Sequence, residues 1–417
     1  MSMRLVTSDD IGLIKDVDMS DKSAGIIQGQ SGADRGVTSM AWLDESESLL
    51  AVATTAGLVD ILQFDSEKLT WTSKREIDVE EHIVVMRATM DTLFIITESD
   101  ILSASLTDAS LPLSKTPLEN GPYTVANFMA KEATKVSETL SAIFTVAPTH
   151  LVAAVETRPP VIISLSTGKI EWSGKNANDT PLGISAKFHT MSMISISDRI
   201  FAAGDQSGKL RFYDIKTQRK PVLEMPIYDT FQLTNNYTGT SGMGIVRPIT
   251  CLAVSVDSSQ LFVGDTFGTL ISLNIKKAIA NNTLLVPGAK IGFKAHNEYC
   301  RKLLTLTRNF KGMMGSIRDL AVTASTLFVV TAGRYAYAFD LTNPKKMEKL
   351  FLKQKLTACL AHGKAEKKVE NLPTENNDAD YDVGTSSDDE AANDLLNDLE
   401  SDVEDGYIPK PNKKFRR

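Results

Sequence analysis

The chain has 417 residues, with 45 Lys and Arg against 52 Asp and Glu and a formal net charge of −7. Its three cysteines, Cys251, Cys300 and Cys359, lie far apart without a C-x-x-C pair, which excludes a disulfide framework and favours a reducing compartment. No run approaches about 18 consecutive apolar residues, and the N-terminus lacks a secretory pattern. We therefore expect a protein that is neither secreted nor membrane-spanning.

Charge is distributed unevenly along the chain. Residues 363–417 hold fifteen acidic and eight basic residues and account for the whole net charge, whereas residues 276–355 hold fifteen Lys and Arg against four acids. The acidic segment has almost no aromatic residues, so it cannot bury enough apolar surface to fold alone. We predict a folded domain over 1–362, followed by a disordered acidic tail over 363–417 that ends in a basic cluster.

Within the folded domain, short apolar segments recur in pairs that are joined by a glycine turn. The clearest copies are 49–64 with Gly57, 201–215 with Gly208 and 261–275 with Gly268. One further strand precedes each copy, at 37–42, 193–197 and 249–254. Units of this length are typical of four-stranded propeller blades, which repeat every ~40–45 residues.

Weaker units at 83–107, 140–172 and 317–351 raise the count to six, and 4–18 together with 355–361 supply a seventh. A ring that is closed by both termini leaves no long open strand edge. The pattern predicts an all-β fold, a seven-bladed WD40-like β-propeller closed by its N- and C-terminal strands. A six-bladed ring and a pair of β-sandwiches are the alternatives.

The blade turns depart from the usual repeat signature. The residue before the turn glycine, where an aspartate is expected, is Ala56, Ser207 or Phe267. We therefore expect the aspartate hydrogen bonds that brace such turns to be missing.

Catalytic and metal-binding patterns find little support. The five histidines are scattered, and none has the spacing of a zinc site. The segment 204–209 is one residue too short for a phosphate-binding loop and already belongs to a blade turn. We expect no enzyme activity, no metal and no cofactor.

The most basic stretch runs from Lys290 to Leu320. Aromatic residues interleave with its cations, and Gly312 and Gly315 would let a ligand approach the backbone. We expect this stretch to be an outgrowth before the unit at 317–351 that binds RNA or a protein partner. The candidate contact residues are Lys290, Lys294, Arg301, Lys302, Arg308, Lys311 and Arg318. An acidic protein partner and a merely solubilising loop remain alternatives.

The tail carries three kinds of signal. A basic cluster indicates nuclear targeting and comprises Lys410, Lys413, Lys414, Arg416 and Arg417. Candidate phosphorylation sites are Ser386, Ser387 and Ser401, each with an acidic residue three positions on. Leu395, Leu396, Leu399 and Val403 follow at helical spacing. This segment either folds on a partner's groove or is a solvated acidic spacer.

Three islands of sequence, in the same order, resemble one family. They are Gly12-Leu13-Ile14-Lys15, Phe310-Lys311-Gly312 through Gly315-Ser316-Ile317-Arg318, and Leu352-Lys353-Gln354-Lys355-Leu356 with Cys359-Leu360. Together with the lysine-rich C-terminus they are similar to the WD-repeat assembly factors of the large ribosomal subunit, known in fungi as Nop-seven-associated protein and with an animal WD-repeat counterpart.

The resemblance implies a non-catalytic nucleolar factor of the large (60S) ribosomal subunit precursor. Such a factor binds pre-ribosomal RNA and assembly proteins, is monomeric within the pre-60S particle and is released by a nuclear AAA-type ATPase. The acidic segment from Glu370 to Asp405 cannot be matched to the family residue by residue. A histone- or chromatin-binding WD-repeat scaffold that uses the acidic tail is the alternative function.

Overall fold

In a computed structural model, the protein forms a β-propeller. The structure describes residues 3–28, 32, 34–68, 70–89, 91–106, 113–130, 148–155, 158–175, 189–231, 233, 247–280, 302–343 and 345–362. The acidic tail lies outside these residues, so the predicted boundary at 362 stays a prediction.

Seven antiparallel sheets of four strands each build the fold. The first strands along the chain are β1 (Arg4–Asp9), β2 (Ile14–Asp18), β3 (Ser23–Gln28), β4 (Val37–Trp42), β5 (Leu49–Thr54), β6 (Leu58–Asp65), β7 (Thr70–Asp78), β8 (Ile83–Ala88), β9 (Thr92–Thr97), β10 (Asp100–Ser105), β11 (Leu113–Pro117), β12 (Val125–Ala130), β13 (Pro148–Ala154), β14 (Val161–Ser164) and β15 (Ile170–Ser173).

The remaining described strands continue the antiparallel pattern, and the described residues also include two short helices. They are β16 (Thr190–Ser195), β17 (Ile200–Asp205), β18 (Lys209–Asp214), β19 (Leu223–Pro226), α1 (Ile227–Phe231), β20 (Ile249–Val254), β21 (Gln260–Asp265), β22 (Leu270–Asn274), α2 (Lys276–Ala280), β23 (Thr305–Phe310), β24 (Ile317–Val322), β25 (Thr326–Thr331), β26 (Tyr335–Asp340), β27 (Met347–Phe351) and β28 (Leu356–Ala361). No helix among the described residues is long and apolar enough to cross a membrane.

Blades 1 to 6 are β4–β7, β8–β11, β12–β15, β16–β19, β20–β23 and β24–β27, and blade 7 joins β28 to β1–β3. The first strand of each blade is innermost and packs against the innermost strands of both neighbouring blades, with β28 between β24 and β4. The predicted seven-bladed propeller, closed by terminal strands, is therefore confirmed.

Two details of the repeat differ from the sequence prediction. The inner strand of blade 3 is β12, which lies upstream of the predicted unit at 140–172 because residues 131–147 separate it from β13. The inner strand of blade 4 begins at Thr190 rather than Met193, since a register irregularity between Thr190 and Ser192 interrupts the apolar pattern.

The blade 1 turn has no bracing aspartate, as expected, and the Thr54 hydroxyl accepts the Leu58 amide (3.3 Å) there instead. In blades 4 and 5 the expectation of missing aspartate hydrogen bonds was wrong. The bracing carboxylate stands three residues before the glycine instead of one. Asp205 accepts hydrogen bonds from the amides of Ser207 (2.9 Å) and Lys209 (2.8 Å). Asp265 accepts them from Phe267 (2.8 Å) and Thr269 (2.6 Å). The turn glycines have the expected positive φ, +77° at Gly208.

These turns define the two faces of the propeller. We call the edge that carries them, together with the connections from one blade to the next, the first face. Neighbouring strands are antiparallel, so the inner strands all start at this face. The second face carries the turns between the first and second strands and the connections between the third and fourth strands.

The ring closes through side chains as well as strands. Next to the β28–β1 pairing, the Trp42 indole N–H of blade 1 donates to the Ala361 carbonyl (3.1 Å). His362 lies between two carboxylates, 2.8 Å from Glu47 and 3.4 Å from Asp16. Burial lowers the pKa of His362, but hydrogen bonds and charge from the two carboxylates offset this and raise the pKa above its ordinary value. The last residues before the tail are thus held firmly at the second face.

Candidate nucleic-acid and partner interface

The basic stretch does not form a single loop between blades, contrary to the sequence prediction. Its described part begins on the connection between β22 and β23, continues as the outer strand of blade 5, and ends in the inner strand of blade 6. Residues 305–310 pair with β22 along its length. Lys290, Lys294 and Arg301 lie outside the described residues, so their role stays a prediction.

Among the predicted contact residues, Arg308 joins two blades. Its guanidinium donates to the Asp340 carbonyl of blade 6 (3.0 Å) and lies over the Phe310 ring, 4.3 Å from the centroid. Desolvation lowers the pKa of Arg308. These contacts give Arg308 a structural role and leave its guanidinium less available to a ligand than sequence suggested.

Lys302, Lys311 and Arg318 are exposed. Lys302 precedes β23 on the second-face side, whereas Lys311 and Arg318 flank the connection that leads from blade 5 to blade 6 on the first face. The four predicted contact residues that the structure describes are therefore divided between the two faces, and of these four only Lys311 and Arg318 lie on the first face.

Further cations that sequence reasoning did not select join Lys311 and Arg318. Arg334 stands in the turn between β25 and β26, Lys349 in β27, and Lys353 and Lys355 in the connection from blade 6 to blade 7. All four are exposed. We call the set Lys311, Arg318, Arg334, Lys349, Lys353 and Lys355, with the apolar side chains of Phe267 and Met314, the first-face patch.

Like charges crowd at one edge of this patch. The Lys15 ammonium donates to the Leu352 carbonyl (3.3 Å), beside Lys353. Burial lowers the pKa of Lys15, the Asp9 carboxylate opposes this, and the Lys353 ammonium lowers the pKa further. Asp10 is the exposed acid here, with its carboxylate 3.9 Å from the Lys355 ammonium. A surface ion pair at that distance neutralises little of the positive charge of the patch, so the patch keeps a strong positive electrostatic potential.

Close backbone packing fixes the shape of the patch. A Cβ atom at Gly268 would lie 2.8 Å from the Gly315 carbonyl oxygen, so the blade 5 turn rests directly on the connection to blade 6. The Met314 amide donates to the Tyr337 hydroxyl (2.9 Å), which holds the exposed Met314 side chain in place. The Lys349 ammonium lies 4.0 Å from the Tyr335 ring centroid. Cations and apolar groups are thus presented on a rigid support.

A carboxylate links the inner strands of blades 6 and 7 behind the patch. Asp319 accepts hydrogen bonds from the amides of Cys359 (2.9 Å) and Leu320 (2.8 Å). Burial raises the pKa of Asp319 to about 6, although the two amides oppose this. Burial, followed by the charge of Asp319, raises the pKa of the Cys251 thiol and of the Cys359 thiol. Neither thiol is therefore suited to act as a nucleophile at neutral pH.

We expect Asp319→Ser to remove a pH-dependent instability. Ser39, at the matching position of blade 1, accepts a bond from the Met86 amide (3.1 Å), so a serine can keep the link between blades. Because the folded-state pKa of Asp319 is raised, its contribution to stability is full below pH ~4 and is lost as pH rises through about 6. The unfolding free energy of the variant relative to the parent should rise by about 2 kcal/mol between pH 4 and pH 7.

Urea unfolding of both chains across this pH range measures the difference. Thr38→Ala, which leaves the Ser39 link and Asp319 intact, serves as the control and should give a pH-independent difference. A pH-independent difference for Asp319→Ser as well would show that Asp319 is ionised throughout.

No group of three or more side chains suited to hold a metal ion occurs among the described residues. The nuclear-targeting cluster (Lys410, Lys413, Lys414, Arg416 and Arg417) and the candidate phosphorylation sites (Ser386, Ser387 and Ser401) lie outside the described residues. Their roles stay predictions.

Comparison with known proteins shows the fold of this chain. No protein-family model matches it, and no curated protein matches it. Many solved structures are similar. One is the crystal structure of the beta-propeller domain of Myceliophteria thermophila Cps50 (Swd1), at 14% sequence identity and a TM-score of 0.52, over 77% of this chain and 88% of that one. The comparison thus shows that the chain has the β-propeller fold.

Proposed function

We propose that this propeller is a non-catalytic nucleolar assembly factor of the large (60S) ribosomal subunit precursor, which binds pre-ribosomal RNA and assembly proteins and is released by a AAA-type ATPase. The observation that carries the proposal is the position of the three islands of family resemblance. Residues 12–15 form the turn into β2, 310–318 join blade 5 to blade 6, and 352–356 join blade 6 to blade 7. All three meet on the first face, where Lys15 donates to Leu352.

The first-face patch has the properties of a phosphate-binding surface. Its exposed Lys and Arg side chains can neutralise backbone phosphates and release counterions, the main source of sequence-independent affinity for nucleic acid. Exposed Phe267 and Met314 add apolar contact area for bases or for a neighbouring protein. A rigid surface of this kind favours recognition of RNA by shape and charge.

The described residues support a role without catalysis. Both described cysteines are buried, and their thiol pKa values are raised. His362 pairs with Asp16 and Glu47 where the ring closes. In this proposal, the energy for release comes from the partner ATPase.

Charge reversal of the patch tests the proposal. We expect the quadruple variant of Lys311, Arg318, Arg334 and Lys353 to Glu to lose at least about 100-fold in affinity for large-subunit precursor RNA near 100 mM salt. The slope of log K against log[salt] should fall by about 0.7 for each phosphate that the variant no longer neutralises. Fluorescence anisotropy over a salt series measures both quantities.

The matched control reverses Lys74, Lys169, Lys216 and Lys220, which are exposed on blades 1, 3 and 4. This variant has the same net charge, so it should lose only the modest affinity that follows from overall charge. Equal losses in both quadruple variants would show that binding is not located at the patch.

Purification of the tagged protein, with identification of its RNA and proteins, tests the wider function. Large-subunit precursor rRNA with assembly factors supports the proposal. Histones without rRNA would reject it in favour of the chromatin scaffold.

A further inference from the structure

The outer strand of blade 6, β27, has a free hydrogen-bonding edge. At one end of the β26–β27 ladder the Leu352 amide donates to the Arg334 carbonyl (2.9 Å), and at the other end the Asp340 amide donates to the Lys346 carbonyl (3.3 Å). Hydrogen-bonded pairs alternate with non-hydrogen-bonded pairs along an antiparallel ladder. Three residues of β27 therefore direct their amides and carbonyls away from the blade: Met347, Lys349 and Phe351.

The side chains of these three residues lie on one side of the sheet, since side chains alternate along a strand. All three are exposed, Met347 at 38% and Phe351 at 47%. No described residue forms a backbone hydrogen bond with their outward amides and carbonyls. A strand that pairs with this edge would therefore satisfy the backbone groups and cover the apolar side chains at the same time.

Contacts with neighbouring groups hold the exposed side chains in place. The Phe351 and Tyr335 rings lie 5.0 Å apart, and the Lys349 ammonium lies 4.0 Å from the Met314 sulfur. Met314 is itself 48% exposed, so apolar surface continues from the strand edge onto the connection between blades 5 and 6. Contiguous exposed apolar surface of this kind indicates an interaction site.

The outer strands of the other blades are less suited to pair with a further strand. β11 ends at Pro117 and β19 at Pro226, which cannot donate a backbone hydrogen bond, and β15 has four residues. Among the described residues, β7 and β23 carry no exposed large apolar side chain. β3 carries one, Ile26, but its ladder is interrupted between Ile14 and Lys15. β27 is thus the outer strand that best combines a regular edge with apolar side chains.

The charge of this edge selects an acidic partner. Residues 345–355 contain five Lys and one Glu. Lys349 stands at the centre of the edge, between Met347 and Phe351. An antiparallel pair of two β27 strands centred on Lys349 would place the two ammonium groups opposite each other, and like charges in this position are destabilising. The edge therefore disfavours a second copy of the chain and favours a strand that has a carboxylate at this position.

We propose that β27 binds an extended segment of a partner protein as a fifth, antiparallel strand of blade 6. Residues directly opposite each other lie on the same side of a sheet, so the segment places apolar residues opposite Met347 and Phe351 and an Asp or Glu opposite Lys349. Its sequence pattern is apolar-x-acidic-x-apolar, where x is any residue except proline. The acidic residue exchanges both of its backbone hydrogen bonds with Lys349.

A blocked, fluorescein-labelled peptide, Ser-Thr-Ile-Thr-Glu-Thr-Ile-Thr-Ser, tests this site on the full chain by fluorescence anisotropy. We expect saturable binding that weakens about 5-fold when Lys replaces the Glu of the peptide. Lys349→Glu should weaken binding of the Glu peptide to a similar extent and should bind the Lys peptide more tightly than the parent does. Lys74→Glu, on the outer strand β7, has the same net charge and should change either affinity less than about 2-fold. Equal effects of the two variants would overturn the assignment to β27.

Two N-methylated peptides distinguish strand addition from simple charge attraction. In the proposed register, the Glu amide of the peptide donates to the Lys349 carbonyl, whereas the amides of the two flanking Thr residues point to solvent. We expect methylation of the Glu nitrogen to abolish saturable binding. Methylation of the nitrogen of the preceding Thr should change the affinity less than about 3-fold. Equal affinities of the two methylated peptides would rule out strand addition.

Met347→Pro removes one outward amide and one exposed apolar side chain without breaking the β26–β27 ladder. Proline is tolerated at the first residue of an edge strand, so the melting temperature should stay within a few degrees of that of the parent. Binding of the Glu peptide should weaken about 5-fold or more. If the peptide binding of this variant equalled that of the parent, or if the change weakened binding of a 20-nucleotide oligouridine while no peptide bound, β27 would not be a peptide site.

Glu76→Pro on the outer strand β7 is the matched control. The Val79 amide donates to the Gly57 carbonyl (2.9 Å), and the register from there places the exposed Glu76 with its amide also directed away from its blade. This variant should bind the Glu peptide as the parent does. A loss equal to that of Met347→Pro would show that the peptide does not distinguish β27 from other outer edges.

The strand site does not rest on the proposed function, and the two fail separately. Peptide binding, together with a purification that recovers no large-subunit precursor rRNA, would reject the proposed function and leave the strand site intact. Recovery of that rRNA without peptide binding would reject the strand site and leave the proposed function intact.

Discussion

A chain that ends at Lys355 should fail to fold. It lacks β28, the inner strand that lies between β24 and β4 and pairs with β1. The loss uncovers Leu5, Val6 and Trp42, which are buried in the full chain, and leaves the ladder groups of β1 unpaired in the middle of the ring. Domains of this kind have net stabilities of only about 5–15 kcal/mol, less than the loss of a whole inner strand removes.

A chain that ends at His362 is the matched control. It keeps β28 together with the contacts of His362 to Glu47 and Asp16, and it should unfold cooperatively at the temperature of the full chain. Near-UV circular dichroism during heating and size-exclusion chromatography measure the outcome. A synthetic peptide of residues 354–363 should restore a cooperative transition to the shorter chain. If the chain ending at Lys355 melted cooperatively within a few degrees of the control, strand closure would not be what stabilises the ring.

The repeated blade turns explain why the fold could be predicted from sequence. Gly57, Gly208 and Gly268 each occupy a position that needs positive φ, between two strands with alternating buried residues. This local pattern recurs often enough to count the blades. The inner strand β12 was not predicted from the sequence because a long connection separates it from β13. The two strands together are therefore longer than the repeat.

The interface was less predictable because its residues come together only through contacts between blades. The sequence shows that Arg308 is basic, but not that the Asp340 carbonyl of the next blade accepts its hydrogen bond. Likewise Phe267, Arg334 and Lys353 are far apart in sequence and meet only because their turns lie on the same face. Each lies in or near the cationic run 276–355, which indicated the correct region of the ring without the orientation of its side chains.

Arg211→Leu should destabilise the protein by about 3–5 kcal/mol, since it removes the guanidinium that pairs with the buried Asp205 carboxylate and the partly buried Glu224 carboxylate. The Arg211 guanidinium lies 2.6 Å from Asp205 and 2.8 Å from Glu224, and the Lys209 ammonium is 3.0 Å from Glu224. Burial raises the pKa of Glu224, but Arg211 and then Lys209 more than offset this and hold the pKa below its ordinary value. Urea unfolding at pH 7 measures the loss.

Blade 2 has uncharged residues at two positions of this network, and it therefore suggests a control variant for Arg211→Leu. In blade 2, Thr97 and Leu102 occupy the positions of Asp205 and Arg211, and the Thr97 hydroxyl accepts the Asp100 amide (2.9 Å). The triple variant Asp205→Thr, Arg211→Leu and Glu224→Gln should therefore recover most of the stability that Arg211→Leu loses.

The two variants should also differ in their response to acid. Because the pKa of Glu224 is lowered in the folded parent, its contribution to stability is full above the ordinary glutamate pKa of about 4.3 and is lost as pH falls through the lowered value. The difference in unfolding free energy between the parent and Arg211→Leu should therefore become smaller as pH falls below about 4. Over the same pH range, the difference in unfolding free energy between the parent and the triple variant should vanish or change sign. A triple variant no more stable than Arg211→Leu at pH 7 would mean that blade 4 depends on its charges for a reason other than their mutual pairing.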